Sequence, residues 1–370
     1  MAQLLKEIRR NPLLWLLAFV PVVFVAEKVA PHSPSLIFVL SILAITPLAA
    51  LLSHATEAIA AKTGDATGGL LNATLGNMTE LVIGLAALRA GDYTLVKASI
   101  VGAIVANTLF MLGASFLLGG LKHHVQEFNR ATVRMQASLL FLATVALLAP
   151  SIAADSDPGG SLGFVRRLSV GLSFLLIAAY GLGMLFTLKT HKEAFGSVAT
   201  DDEAASTHWP LSLALSTLAG VTVLVALVSE IFVGVVQAGA EAFGMSQAFV
   251  GFVVVALVGG AAEMASAFAG ARKNHLDLSV GIALGSASQI ALFVAPVLVL
   301  LSYLVGPHPM DLQLWPGAVV MMMISVLAAT LVTSSGRSAW FVGALLLMVY
   351  VVFAMTLYLA PPAAGGVAPP

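Results

Sequence analysis

The sequence predicts an all-α integral membrane protein with eleven transmembrane helices, an extra first helix followed by two inverted five-helix repeats. Three observations predict it. The chain is 59% hydrophobic and only 9% charged over 370 residues, and its charges fall between long apolar blocks rather than along amphipathic faces. Those blocks reach the length of about 20 residues that a helix needs to cross a bilayer. Similar polar motifs then recur at a constant offset on either side of one polar linker.

The spans are expected at residues 13–30, 35–61, 66–88, 94–121, 131–152, 164–188, 209–240, 246–271, 278–305, 313–334 and 338–359. The first follows Lys6, Arg9 and Arg10 and also has the shape of a signal peptide cut near Ala30. With ten more spans behind it, a retained helix is the preferred reading. With a cytoplasmic N-terminus, Lys62, Lys122, Arg130, Arg134, Lys189, Lys192, Arg272, Lys273 and Arg337 join the inner side. The outer side keeps Lys28, Arg89, Lys97, Arg166 and Arg167, beside Glu27, Asp92, Asp155, Asp157 and Asp311. The inner excess of Lys and Arg supports this orientation, against which only Arg166 and Arg167 stand.

One stretch reads as a linker: "THKEAFGSVATDDEAASTHWP", Thr190 to Pro210, rich in small polar residues and holding the acidic triplet Asp201-Asp202-Glu203. The expected organisation is therefore an N-terminal segment with the first span (1–34), a first five-helix repeat (35–189), a cytoplasmic linker (190–208), a second repeat (209–360) and a C-terminal tail (361–370). Sliding the second half by 183 positions sets Gly76 on Gly259, Glu80 on Glu263, Ala86 on Ala269, Gly102 on Gly285, Leu109 on Leu292 and Phe110 on Phe293 without a gap. An odd number of spans per repeat forces the two copies into opposite orientations. That is the layout in which secondary transporters place substrate and coupling sites near the midplane.

Composition removes several classes of function. A net charge of −1, with no Lys/Arg cluster interleaved with aromatics, leaves no surface for nucleic acid. The absence of Cys removes disulfides, thiol nucleophiles and thiolate metal sites. Neither H-E-x-x-H nor G-x-S-x-G occurs, so an enzyme is not expected, nor is a resident cofactor. His54, His123 and His124 read as packed or solvated histidines.

What remains are intramembrane carboxylates. Glu80, in "NATLGNMTE", and Glu263, in "ALVGGAAEMASA", fall near the middle of the third and eighth spans. A charge at that depth costs about 2.5 to 3.5 kcal/mol on insertion scales and marks a functional candidate. A single such Glu can be a protonated structural group bonded across helices; two at matching repeat positions argue against that. Around them stand Asn72, Thr74, Asn77, Thr79 and Ser266, with Gly76, Gly259 and Gly260. These glycines either let the helix break and turn its carbonyls toward a cavity or serve close helix packing.

The fourth span adds Asn107 and Thr108 in "GAIVANTLF", and the ninth adds Ser286, Ser288 and Gln289 in "GSASQIALFVAP". Asn107 and Gln289 lie one position apart in the repeat alignment, which favours a shared role over simple interhelical hydrogen bonding. Glu57 and Glu230, on the second and seventh spans, fit either a proton path or structural hydrogen bonds. Glu27 and Glu241 lie near span ends and read as interfacial. Trp15, Trp209, Trp315 and Tyr303 read as interface anchors.

Oxygen donors of this kind suit Ca2+, which takes six to eight of them, and suit soft metals poorly. Two carboxylates neutralise one divalent cation, so a loaded site can move through a medium of low dielectric. Away from water an unpaired carboxylate favours its neutral form, so the empty site returns protonated. Cation and proton then compete for the same oxygens, which is antiport.

The motifs "GGLLNATLGNMTELVIG" with "GAIVANTLFMLG", and "GFVVVALVGGAAEMASAFAGARKNHLDLSVGIALGSASQIALFVAP", resemble those of the calcium/proton exchanger family within the calcium/cation antiporter superfamily. The resemblance covers nearly the whole chain from the second span to the eleventh. It implies an eleven-helix antiporter whose two Glu residues, Glu80 and Glu263, line a central cation site, assisted by Asn77 and by polar residues of the fourth and ninth spans. It also implies Ca2+ and H+ as the transported ions, with membrane lipid as the surroundings. The sodium/calcium branch typically has Ser/Thr-Pro-Glu in its repeats. Met78-Thr79 and Ala261-Ala262 stand there in this chain and favour the proton branch; a sodium- or potassium-coupled exchanger of the same superfamily is the alternative, and a cation channel a more distant one. The family's second motif usually has Gly-Asn before Ala-Ala-Glu and His after it. Gly260 and Met264 replace that amide and imidazole, a departure that bears on cation affinity, pH response and the identity of the ion. The short linker fits a prokaryotic cytoplasmic-membrane protein better than a vacuolar one.

Overall fold

A computed structural model describes residues 7–9, 11–63, 65–156, 162–187 and 209–362. The expected linker at 190–208 and most of the expected tail lie outside the described residues. The helices are α1 (Pro12–Val29, its first turns 3-10), α2 (Pro34–Ala60), α3 (Asp65–Leu75), α4 (Met78–Ala90), α5 (Tyr93–His123), α6 (Arg130–Ser156) and α7 (Leu162–Leu185). After the linker come α8 (Leu211–Ala242), α9 (Gln247–Gly259), α10 (Ala261–Arg272), α11 (Leu276–Val305), α12 (Pro316–Thr333) and α13 (Trp340–Leu359). Helices predominate because hydrocarbon offers the backbone no hydrogen-bond partner outside the segment itself.

Among the described residues, nine of these helices are long and apolar enough to cross a membrane, and α9 with α10, bent by 59°, make a tenth if counted as one span. The third expected span is divided at Gly76 and Asn77 into α3 and α4, neither long enough alone. Length and composition thus support nine or ten spans where the sequence predicts eleven.

The two halves interleave. Helix α2 lies along α8, where Phe38 stacks on Phe232 at 5.5 Å and leaves room only for Gly at position 239. Helix α5 crosses α9 so closely that a Cβ at Gly102 would overlap the backbone of Phe252, and one at Gly251 would come within 2.9 Å of the Leu95 carbonyl. Farther along, α5 meets α13 through Gly113 and Gly343. Helices in lipid gain little from burying apolar surface against each other, so backbone approach through small residues is what holds them.

Within α5, α9 and α11 short π-helical segments interrupt the α-helical ladder, at Ala106–Met111, Val250–Val255 and Ile290–Val294. The first and last occupy matching places of the internal repeat, directly at Asn107 and Gln289. Such bulges are uncommon and gather at functional sites.

The ends of the bundle are tied down by non-helical segments. At one end β1 (Val125–Glu127) pairs antiparallel with β2 (Arg337–Ala339), joining the loops after α5 and α12. At the end where α5 begins, residues 307–314 run between α11 and α12 outside both helices. Hydroxyls from three helices satisfy them: the Met310 N–H donates to Ser302, Leu312 to Ser169 and Leu314 to Ser151. Asp311 in this segment accepts from Lys97 Nζ at 2.6 Å, both side chains being about one-tenth exposed. Of the expected interface anchors, Trp15 and Tyr303 are exposed, while Trp209 is buried in the core.

Candidate cation site

The helices are broken beside both groups of glycines, and the two breaks are alike. Helix α3 ends before Gly76, Asn77 turns the chain, and Glu80 is the third residue of α4. Helix α9 ends at Gly259, Gly260 turns the chain, and Glu263 is the third residue of α10. Each carboxylate therefore sits in the first turn of a half-helix, the end that favours negative charge by about 0.3 to 1 kcal/mol.

The two breaks face each other with reciprocal contacts. A Cβ on Gly259 would lie 3.1 Å from Glu80 Oε1, and one on Gly76 would lie 3.9 Å from Glu263 Oε1. Each glutamate thus reaches across to the glycine of the other break, and a side chain at Gly259 would press on Glu80. The Oε2 atoms of both Glu80 and Glu263 are buried with no hydrogen-bond partner among the described residues. Two buried carboxylate oxygens with no protein donor, one on each glutamate of the junction, are what a bound cation or a proton would satisfy.

Neutral donors complete the junction through bonds that cross between the halves. Asn107 Nδ2 donates to Ser286 Oγ at 2.9 Å, Ser286 Oγ donates to Asn77 Oδ1 at 3.3 Å, and Asn77 Nδ2 donates to Gln289 Oε1 at 2.6 Å. Asn77, Asn107 and Ser286 are buried. The chain of donors runs one way, which leaves the Asn107 carbonyl oxygen outside it. That oxygen lies 3.8 Å from where a Cβ on Gly260 would be, with Met264 Cε at 3.4 Å. Asn107 thus presents an amide oxygen beside the position at which the second repeat, unlike the first with its Asn77, has no side chain.

Some of the other polar residues singled out in the sequence turn away from this junction. Thr108 and Ser288 donate to carbonyls of their own helices, Ile104 and Leu284. Asn72 is exposed. Glu57, near the end of α2, accepts from Ser53 at 3.2 Å and is, with Glu80, an acidic neighbour of Glu263. Glu230 instead pairs with Arg89 at 2.8 Å, with half or more of both side chains exposed. An exposed pair of this kind contributes about 0 to 1 kcal/mol. Glu230→Gln is expected to leave transport within about twofold of wild type; a tenfold loss would return Glu230 to the proton path.

The sequence places Lys97 and Asp311 on the outer side without pairing them, and it gives Tyr180 no role. An isolated Lys inside an apolar span is the one signal that points to a buried partner.

Among the described residues no group of three or more His, Cys, Asp or Glu side chains stands close enough to hold a metal ion. The junction is instead two carboxylates among amides and hydroxyls.

A family model described as sodium/calcium exchanger protein matches the chain twice, over residues 33–189 and 213–359. A Ca(2+)/H(+) antiporter of Aphanothece halophytica is 38% identical over 359 residues, covering 94% of this chain and 96% of the relative. The Ca(2+)/H(+) antiporter ChaA of Bacillus subtilis is 39% identical, covering 89% and 93%. The solved structure of native YfkE superposes with a TM-score of 0.81 at 36% identity, covering 94% of this chain and all of that one.

Proposed function

The chain belongs to the sodium/calcium exchanger protein family, a family of transporters rather than enzymes, and we propose that it is an integral membrane antiporter exchanging Ca2+ for H+. Glu80 and Glu263 are the carboxylates that both ions use. The observation that carries this reading is the reciprocal seating of each glutamate against the other break, with one buried oxygen of each left without a donor. Relatives at 38% and 39% identity that carry the Ca(2+)/H(+) antiporter name support the choice of ions.

In this reading Ca2+, as cargo, is held by the two carboxylates, by the Asn107 carbonyl oxygen and by backbone oxygens or water at the breaks, a hard-oxygen set of the kind it prefers. Asn77, Ser286 and Gln289 hold the amides in register. Gly76, Gly259 and Gly260 let the helices break and let the glutamates approach. Glu57, the acidic residue facing Glu263 from α2, is the proposed proton path toward one end of the bundle. When the cation leaves, protons take up the charge that burial would otherwise make costly. The empty site then returns in neutral form, by alternating access between the two faces.

The repeat boundaries at 35–189 and 209–360 are part of the proposal. The double family match, the alike breaks and the paired π-helical segments support them. The proposed setting is a prokaryotic cytoplasmic membrane with the N-terminus inside, supported by the Lys and Arg distribution.

The test is reconstitution into sealed proteoliposomes with a pH indicator inside. Ca2+ added on one side is expected to drive protons to that side in sodium-free medium. Ca2+ movement that requires Na+ or K+ on the opposite side would replace the proton reading with that of a sodium- or potassium-coupled exchanger. Current without proton countertransport would indicate a channel.

A further inference from the structure

Two aromatic pairs join the halves in a reciprocal way. Phe110 of α5 lies against Tyr350 of α13 with ring centroids 5.3 Å apart, and Phe293 of α11 lies against Tyr180 of α7, also at 5.3 Å. Phe110 and Phe293 occupy matching repeat positions, and both stand within the paired π-helical segments. The phenylalanines are therefore equivalent, and each meets a tyrosine of the last helix in the other half. The tyrosine hydroxyls differ.

The Tyr350 hydroxyl is buried with no hydrogen-bond partner among the described residues. The Tyr180 hydroxyl lies 3.4 Å from Thr74 Oγ1. Thr74 has one proton, and it goes to the Leu70 carbonyl at 2.8 Å, so Tyr180 is the donor between them. Thr74 lies in the last turn of α3, directly before Gly76 and Asn77. Phe293, on the other side of Tyr180, lies one turn beyond Gln289. Tyr180 thus touches both segments whose polar ends, Asn77 and Gln289, bond to each other at 2.6 Å. Its buried ring offers the third side of a triangle closed by α3, α7 and α11.

We infer that Tyr180 is a positioning residue for the cation site: its hydroxyl, donating to Thr74, fixes the end of α3 at the break and so sets where Gly76 and Asn77 stand against Glu263 and Gln289. The inference rests on the cation-site reading for its effect on transport, and on geometry alone for its effect on α3. Tyr350, packed on the matching phenylalanine and with an unpartnered hydroxyl, is the internal control. The asymmetry makes the first break the braced one.

The experiment compares Tyr180→Phe, Tyr350→Phe, Thr74→Val and Thr74→Ser in the full chain, with two readouts. In proteoliposomes, Tyr180→Phe and Thr74→Val are each expected to raise the KM for Ca2+ about threefold at unchanged maximal rate, the ratio that an average hydrogen bond between membrane helices corresponds to. The double variant goes no further, and Thr74→Ser and Tyr350→Phe behave as wild type. In detergent without any cation, amide hydrogen exchange at residues 75–78 is expected to quicken by the same factor in Tyr180→Phe and Thr74→Val only. An unchanged exchange rate in both variants, or an equal shift in Tyr350→Phe, overturns the brace. The expected exchange effects in a chain that carries no Ca2+ would keep the brace and overturn the cation reading instead. Should Tyr180→Phe fail to fold, the contrast between Thr74→Val and Thr74→Ser decides the matter.

Discussion

Glu80→Gln and Glu263→Gln are each expected to abolish Ca2+-driven proton movement. Glutamine keeps the size and the neutral charge of a protonated carboxyl, so either variant resembles a site locked halfway to its proton-loaded form. Facing Ca2+, one carboxylate leaves a buried positive charge uncompensated. Removing one member of a buried charge pair costs about 3 to 5 kcal/mol, which is a loss of affinity on the order of a hundredfold to a thousandfold. The sign of the pH effect follows from the competition. In wild type, acidification is expected to raise the KM for Ca2+, because protons occupy the same oxygens. In any variant with measurable residual transport that dependence flattens, having lost one of its two competing groups. Transport titrations across pH in proteoliposomes measure both. A variant that keeps proton-coupled exchange at wild-type affinity would remove that glutamate from the site and leave its unpartnered oxygen without the role proposed for it.

Lys97→Met is expected to destabilise the protein by about 3 to 5 kcal/mol, the cost of leaving a desolvated charge without its partner. The ion pair with Asp311 is buried and short, and no second cation is seen beside that carboxylate among the described ion pairs. Asp311 also accepts from the Gln313 N–H at 3.0 Å, so it organises the segment at 307–314 as well as pairing with α5. The informative comparison is therefore Lys97→Met alone against Lys97→Met with Asp311→Asn. The second removes both charges and keeps the oxygen that Gln313 needs, and most of the lost stability should return. Thermal unfolding in detergent measures the difference. Equal melting temperatures for the single and double variants would mean that water reaches the pair and that the segment is held by its serine contacts and by Tyr93, which bonds the His308 backbone.

Much of the site is legible in the sequence because its parts are local. A glutamate three residues after Asn77 and three after Gly260 predicts a break followed by a carboxylate, and one constant offset joins the two occurrences. What the sequence does not supply is which side chains meet across the halves. Asn77 and Gln289 are 212 positions apart and Lys97 and Asp311 are 214 apart, so helical periodicity says only which face each occupies. The length of the third span misleads for a related reason. A window of apolar residues reads as continuous whether or not the backbone turns inside it, and at Gly76 it does turn. Glu230 is ambiguous in sequence because burial, not position along a helix, decides between a relay and an exposed salt bridge. Its neighbour Arg89 comes from a different helix, 141 positions away.

The paired π-helical segments carry a consequence for how this chain tolerates insertions and deletions. A π turn is one extra residue accommodated without unwinding the helix: in a regular α-helix an added residue rotates everything beyond it by about 100°, whereas the bulge takes it up locally. Both halves hold that extra residue at the same place, at Ala106–Met111 and at Ile290–Val294, so the self-alignment runs through it without a gap. A one-residue deletion there in a single half would swing Phe110 or Phe293 off its tyrosine. Loss of a single codon at either point would therefore change the contacts within one π turn while the helix beyond keeps its facing.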